Sequence, residues 1–280
     1  VFFATAQGMV KKVQLSAFKN VRAQGIKAIA LKEGDYLVGV AKTGGMDDIM
    51  LFSNLGKAIR FNEFWEKTGS DDAEDADIEN EETAEFSDGL SDDDSTDNGE
   101  AVSISGKHGV RPSGRGSGGL RGMRLPSEGK IVSLITFAPE CEQGELQVLT
   151  ATANGYGKRT PIANYSRKNK GGQGNIAINT GERNGDLVAA TLVAENDDLM
   201  LITSGGVLIR TKVEQIRETG RAAAGVKLIN LDEGETLVSL ERVAEEPDTG
   251  EELPEDQEAL LEDSDNSPSE SSAVDESDAE

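Results

Sequence analysis

One arrangement of residues occurs four times in this chain, and it limits the possible folds more than any other feature. Each occurrence is an apolar run, a tight turn ending in glycine, and a second strand with a base four residues beyond that glycine. The runs span 2–8, 50–56, 149–155 and 201–206, and the bases are Lys12, Arg60, Arg159 and Arg210. A second glycine then opens another apolar stretch, at Gly25-Ile26, Gly119-Leu120, Gly174-Asn175-Ile176 and Gly225-Val226. A third precedes a final strand, at Gly34, Gly129, Gly185 and Gly234. The first glycines lie 48, 99 and 51 residues apart, and setting aside a 42-residue acidic stretch at 67–108 brings the 99 down to 57. A period near 50 with several short strands and glycine turns marks a propeller-like array. Each unit is a small sheet that cannot bury both faces alone, so neighbours must pack against it. The sequence therefore predicts an all-β, propeller-like domain over 1–243, with repeats at about 1–46, 47–138, 146–194 and 197–243.

Within a unit the second strand alternates with period two. In the fourth repeat Val207, Ile209 and Val213 fall on one face and Arg210 and Lys212 on the other, which predicts a core face and a charged face. Gly8, Gly56, Gly155 and Gly206 are expected in hairpin turns that need positive φ. Helical patterning is confined to Lys212–Glu218 and Glu251–Glu262. Two stretches concentrate the acid: residues 70–101 hold 15 Asp or Glu and no base, and 244–280 hold 16 and no base. Poor in aromatic and β-branched residues, they cannot bury enough apolar surface to offset the entropy of ordering, so the insertion at 67–108 and the tail at 244–280 are expected to be disordered. Without those stretches, 21 acids face all 28 bases, a net of +7 on the body against −24 for the whole chain. A basic body suits a polyanionic partner.

Several segments resemble the C-terminal domain of the DNA gyrase A protein. They are Ala4-Thr5-Ala6-Gln7-Gly8-Met9-Val10-Lys11-Lys12, Met50-Leu51-Phe52-Ser53, the run 149–160 (Leu-Thr-Ala-Thr-Ala-Asn-Gly-Tyr-Gly-Lys-Arg-Thr) and Arg242-Val243-Ala244-Glu245, together with the acidic tail. The resemblance covers all four repeats. It implies a β-pinwheel of four-stranded blades, a disc of six in which neighbouring blades exchange strands, of which this chain holds the last four. It also implies that double-stranded DNA wraps on a basic outer rim. The seven-residue glycine- and arginine-rich box of that family's first blade is not intact here. The string Lys168-Asn169-Lys170-Gly171-Gly172-Gln173-Gly174 is a degenerate cousin of it, and Arg115-Gly116-Ser117-Gly118-Gly119-Leu120-Arg121-Gly122 a looser one. The resemblance further implies an ATP- and magnesium-dependent type II topoisomerase as the parent protein, with an A2B2 assembly that includes the N-terminal region of gyrase A and the gyrase B protein. The setting is then the cytoplasm, on the bacterial chromosome. The related C-terminal domain of the topoisomerase IV A protein and a protein-binding propeller remain open as alternatives.

Wrapping needs no base reading; it needs cations along a curved path and backbone N–H groups near phosphates. The first-choice contact segment is Ser166–Gly172, with Arg167, Lys168, Lys170, Gly171 and Gly172. A second cluster is Arg111, Arg115, Arg121 and Arg124; a third is Lys11, Lys12, Lys19, Arg22 and Lys27; a fourth is Arg217 and Arg221. Arg60, Lys158, Arg159, Arg210 and Lys212 complete the DNA-facing set expected from the repeat positions. Any one of these can equally be an ordinary solvated surface base. No catalytic residue and no metal site is expected: His108 is the only histidine and Cys141 the only cysteine, so nucleophilic triads and zinc sites lack their parts. Trp65, beside Phe64, is expected to pack at an edge. The acidic stretches have two open roles, solubility or competition with DNA through high effective concentration.

Overall fold

Fifteen strands, nearly all of them short, make four sheets in the computed structural model, which describes residues 1–66, 109–143 and 146–243. The acidic insertion, the tail and His108, for which disorder or no role was expected, lie outside the described residues. Blade A contains β1 (Phe2–Thr5), β2 (Met9–Lys12) and β3 (Leu37–Ala41); blade B contains β4 (Asp48–Ser53), β5 (Lys57–Asn62) and β7 (Ile131–Phe137). Blade C contains β8 (Gln147–Thr152), β9 (Tyr156–Pro161) and β11 (Leu187–Val193); blade D contains β12 (Asp198–Thr203), β13 (Leu208–Lys212) and β15 (Leu237–Val243).

The fourth strand of a blade comes from the next repeat. β6 (Leu120–Arg121) pairs with β2, β10 (Asn175–Ile176) with β5, and β14 (Val226–Lys227) with β9. The sheet orders are β3-β1-β2-β6, β10-β5-β4-β7, β11-β8-β9-β14 and, with three strands, β13-β12-β15. This is the strand exchange of a pinwheel. It explains why each exchanged strand follows a glycine: Gly119, Gly174 and Gly225 all have positive φ. A Cβ on Gly174 or Gly225 would sit 2.5 or 2.4 Å from a carbonyl of the strand it joins. Hairpin glycines Gly8, Gly56, Gly155 and Gly206 also have positive φ, as their turn positions require.

The core lies between blades, and strand periodicity puts it there. On β4, Ile49 and Leu51 join Phe2, Ala4, Val10, Ile59 and Phe61 between blades A and B. Met50 and Phe52 face the other way and join Phe137, Val148, Ile162 and Tyr165 between B and C. Leu149 and Ala151 continue the pattern with Leu199, Leu201 and Val213 between C and D. All six residues of β4 are therefore buried, so it reads as a continuous apolar run and not as an alternation. The fourth repeat departs from expectation. Val213 is buried, but Val207 and Ile209 are 45% and 37% exposed, because β13 has neither an exchanged strand nor a further blade beside it among the described residues. The helix read at Lys212–Glu218 is a single 3-10 turn at Val213–Gln215.

Candidate nucleic-acid interface

The base four residues after each hairpin glycine lies at the end of the second strand (Lys12) or two residues before it (Arg60, Arg159 and Arg210), close to where the chain leaves one blade for the next. Three of these four bases face inward. Arg60 is 2% exposed; its Nε donates to Asp48 Oδ2 at 2.8 Å, its Nη1 to the Tyr165 carbonyl at 3.0 Å, and its Nη2 contacts Asp48 and Glu142. Arg159 donates to the Ile216 carbonyl at 2.5 Å and contacts Glu195 at 3.4 Å. Lys12 Nζ donates to the Glu63 carbonyl at 2.7 Å and lies 3.5 Å from its carboxylate. At the same positions the backbone makes a parallel bridge to the incoming rim loop: Lys12 to Pro112, Arg60 to Arg167, Arg159 to Glu218. These bases latch the chain crossing. Arg210, in the last blade, keeps an exposed side chain against Asp198 at 2.5 Å.

The expectation of DNA contact is therefore corrected for Lys11, Arg60, Lys158 and Arg159, all buried with their donors spent on protein groups. Lys11 and Lys158 sit one residue before the latch. Lys11 Nζ donates to the carbonyls of Ala28, Arg115 and Ser117 at 2.8–2.9 Å. Lys158 Nζ donates to the carbonyls of Gly220 and Arg221. Burial lowers the pKa of both ammonium groups, that of Lys158 to about 8.

The segment ranked first for phosphate contact is also largely committed to the protein. Arg167 Nε donates to Asp48 at 2.8 Å and its Nη2 lies 3.3 Å from Glu142. Glu142, with two guanidinium partners, is held below its ordinary pKa chiefly by its hydrogen bond from Arg60. Lys168 Nζ donates to Asn175 Oδ1 at 2.8 Å, the Gly171 amide donates to Gly122, and the Gly172 carbonyl accepts from Arg124 N at 2.8 Å. Burial lowers the pKa of Lys170. Gly172 itself is exposed, and Gly171 adopts positive φ at the loop tip. Strongly acidic partners at non-repeating positions, such as Glu142, gave no sign in the sequence that these bases would be neutralised.

A different set of bases meets solvent. Lys19, Arg22, Lys27, Arg121, Arg124, Arg210, Lys212 and Arg217 are exposed. Arg115 and Arg221 are half-buried, with one guanidinium nitrogen of each near the Lys27 and Ile176 carbonyls, at 3.4 and 3.3 Å. Arg111 lies over the Trp65 ring, 5.7 Å from its centroid, which fits the edge-packing role expected of that tryptophan. Exposed Lys227 was absent from the expected set, although the sequence carried its signal: it stands two residues after Gly225, as Lys27 does after Gly25 and Arg121 after Gly119. Among the described residues no group of His, Cys, Asp and Glu is arranged to hold a metal ion.

Comparison with known proteins places this geometry in a family. The family model described as "DNA gyrase C-terminal domain, beta-propeller" matches residues 1–43, 47–63, 107–138, 147–194 and 197–244. The DNA gyrase A protein of Neisseria gonorrhoeae is 85% identical over 246 residues, covering 88% of this chain and 26% of the relative. Its counterpart in Escherichia coli K12 is 39% identical over 248 residues, covering 89% and 23%. The chain thus spans about a quarter of the length of the curated relatives it matches. A solved gyrase A C-terminal domain shares the fold with TM-score 0.60 at 22% identity, over 87% of this chain and 65% of that one. The C-terminal domain of a DNA topoisomerase IV does so with TM-score 0.65 at 20% identity, over 86% and 61%. With its repeats matched throughout and its blades joined by exchanged strands, this chain belongs to the DNA gyrase C-terminal domain family.

Proposed function

We propose that this chain binds and wraps double-stranded DNA on its rim, without sequence specificity, as the C-terminal domain of a gyrase A protein. The observation that carries the reading is the recurrence of exposed bases at the strand-exchange stations. Lys27, Arg121 and Lys227 stand two residues past equivalent glycines, with Arg22, Arg124 and Arg217 nearby. Cations repeated along a curved path neutralise successive phosphates and release counterions, and those contacts offset the cost of bending the duplex. The parent protein is then an ATP-dependent type II topoisomerase that introduces negative supercoils. The wrap presents a neighbouring duplex segment to the cleaved gate, while the gyrase B protein hydrolyses ATP with magnesium in an A2B2 complex in the cytoplasm. This domain supplies DNA path and no catalytic group; the strand-cleaving tyrosine belongs to the N-terminal region of gyrase A.

Binding of the 280-residue chain to a duplex of about 40 base pairs, across a salt series and with and without residues 244–280, tests this. Affinity should fall steeply with salt and depend little on sequence. A gain in affinity on removing the tail supports competition by a tethered polyanion, whereas unchanged affinity assigns the tail to solubility. Absence of binding by either form at low salt overturns the DNA reading.

A further inference from the structure

Lys11 and Lys158 are unusual cations. Their side chains are 1% and 0% exposed, and among the described residues neither pairs with a carboxylate. Their hydrogen-bond partners are carbonyls, and those carbonyls belong mainly to two equivalent rim loops, 113–118 and 219–223. In blade B the corresponding residue is Ile59, and the loop above it is held by backbone bonds, Gly171 to Gly122 and Arg124 to Gly172. The lysine is therefore a device of alternate blades.

The device has a geometric consequence. No described peptide bond is cis, and in a trans peptide the carbonyl and the following N–H point in opposite directions. Drawing the Arg115 and Ser117 carbonyls onto Lys11 turns the Gly116 and Gly118 amides away from it. Drawing the Gly220 and Arg221 carbonyls onto Lys158 does the same to the Arg221 and Ala222 amides. Among the described residues none of these four amides donates to another protein group. The cleft outside the second loop is lined by Asn164, Ile176, Gly220, Arg221, Ala222 and Ala223. Outward amides beside an arginine, with an un-neutralised ammonium beneath, make an anion-binding concavity.

We infer that Lys11 and Lys158 each shape a rim loop into a phosphodiester cradle, formed by the amides of Gly116 and Gly118 with Arg115 in blade A and by those of Arg221 and Ala222 with the Arg221 side chain in blade C. The two lysines act as positioning residues and do not touch the nucleic acid. The inference rests on the DNA-binding reading above and adds two built sites to it.

Amide resonances of the isotope-labelled 280-residue chain, recorded as a duplex of about 40 base pairs is added, test it directly. The Gly116, Gly118, Arg221 and Ala222 amides should shift downfield together as phosphates accept from them. Lys158→Met should weaken binding about tenfold and abolish the response of Arg221 and Ala222 while that of Gly116 and Gly118 persists. In an Arg221→Ala background the same substitution should cost much less, since both act on one site. If the duplex binds and the four amides of the unsubstituted chain stay still, the cradles are refuted and the DNA reading stands; if nothing binds, the DNA reading itself has failed. The measurement on the unsubstituted chain decides the matter even if Lys158→Met does not fold.

Discussion

Asp48 is the best point at which to test whether the latches hold the blades together. Its side chain is 0% exposed and faces four donor groups: Arg60 Nε at 2.8 Å, Arg60 Nη2, Arg167 Nε at 2.8 Å and Asn62 Nδ2 at 2.9 Å. Asp48→Asn keeps the shape, removes the charge and turns an amide N–H₂ toward a group that already donates. Removing one partner of a buried ion pair costs about 3–5 kcal/mol. Glu142, 32% exposed, still contacts both guanidinium groups at 2.9 and 3.3 Å, so the lower end, about 3 kcal/mol, applies. For a domain of this size that is a fall in Tm of roughly 6–12 °C. The matching residue of blade D provides the contrast. Asp198 pairs with Arg210, whose side chain is 62% exposed, so Asp198→Asn should cost under about 1 kcal/mol. Guanidinium unfolding followed by circular dichroism and by the fluorescence of Trp65, the only tryptophan, measures both. Equal losses in the two variants, or a loss below about 0.5 kcal/mol in Asp48→Asn, would refute the latch argument.

Three other outcomes follow from the geometry. Gly56→Ala forces φ +73° on alanine and puts its Cβ 2.3 Å from the Ile178 carbonyl, whereas Gly25→Ala, at φ +77°, meets nothing within 4 Å; chemical denaturation should show the first losing about 2 kcal/mol more than the second. Lys158 titrates near 8 in the folded chain and near its ordinary value when unfolded, so the unfolded state binds more protons between these pH values. Stability should therefore rise from about pH 8 toward 10.5, and Lys158→Met should flatten that rise in melts taken across the range. Arg124→Ala should lower the slope of log affinity against log salt by about one and leave Tm unchanged, the signature of one lost phosphate contact; a drop in Tm would instead assign Arg124 to the fold.

The architecture was legible because its determinants are local. Glycine at fixed spacing, a hairpin turn and period-two apolar residues are each decided within a few neighbours, so Gly8, Gly56, Gly155 and Gly206 mark their hairpins in the sequence alone. The candidate site was less legible because the fate of a cation is decided by distant groups. Arg60 and Arg167 read as surface bases until Asp48 and Glu142 are brought against them from elsewhere in the chain. Lys11 alternates in register with apolar Met9 and Val13, which marks an inward face, whereas Lys158 alternates with Tyr156 and Thr160; the acceptors of both are carbonyls that no side-chain pattern reveals. The exposure of Val207 and Ile209 had no local signal either, since it depends on which strands lie beside β13.

Strand exchange also sets a timetable. A ribosome delivers the chain from its N-terminal end at about 5–20 residues per second, and domains fold as they emerge. Blade A has its own three strands once Ala41 is out, but its sheet is completed only when Leu120 and Arg121 arrive from beyond the acidic stretch. Blade B waits for Asn175 and blade C for Val226. Each of these blades thus emerges with the outer edge of its second strand open, and the insertion at 67–108 lengthens that delay for the first two. The acidic residues that cause that delay emerge while the edge of β2 is still unpaired. Nascent chains carrying this domain therefore pass through their most association-prone stage with a block of like charge already synthesised, and like charge keeps neighbours apart.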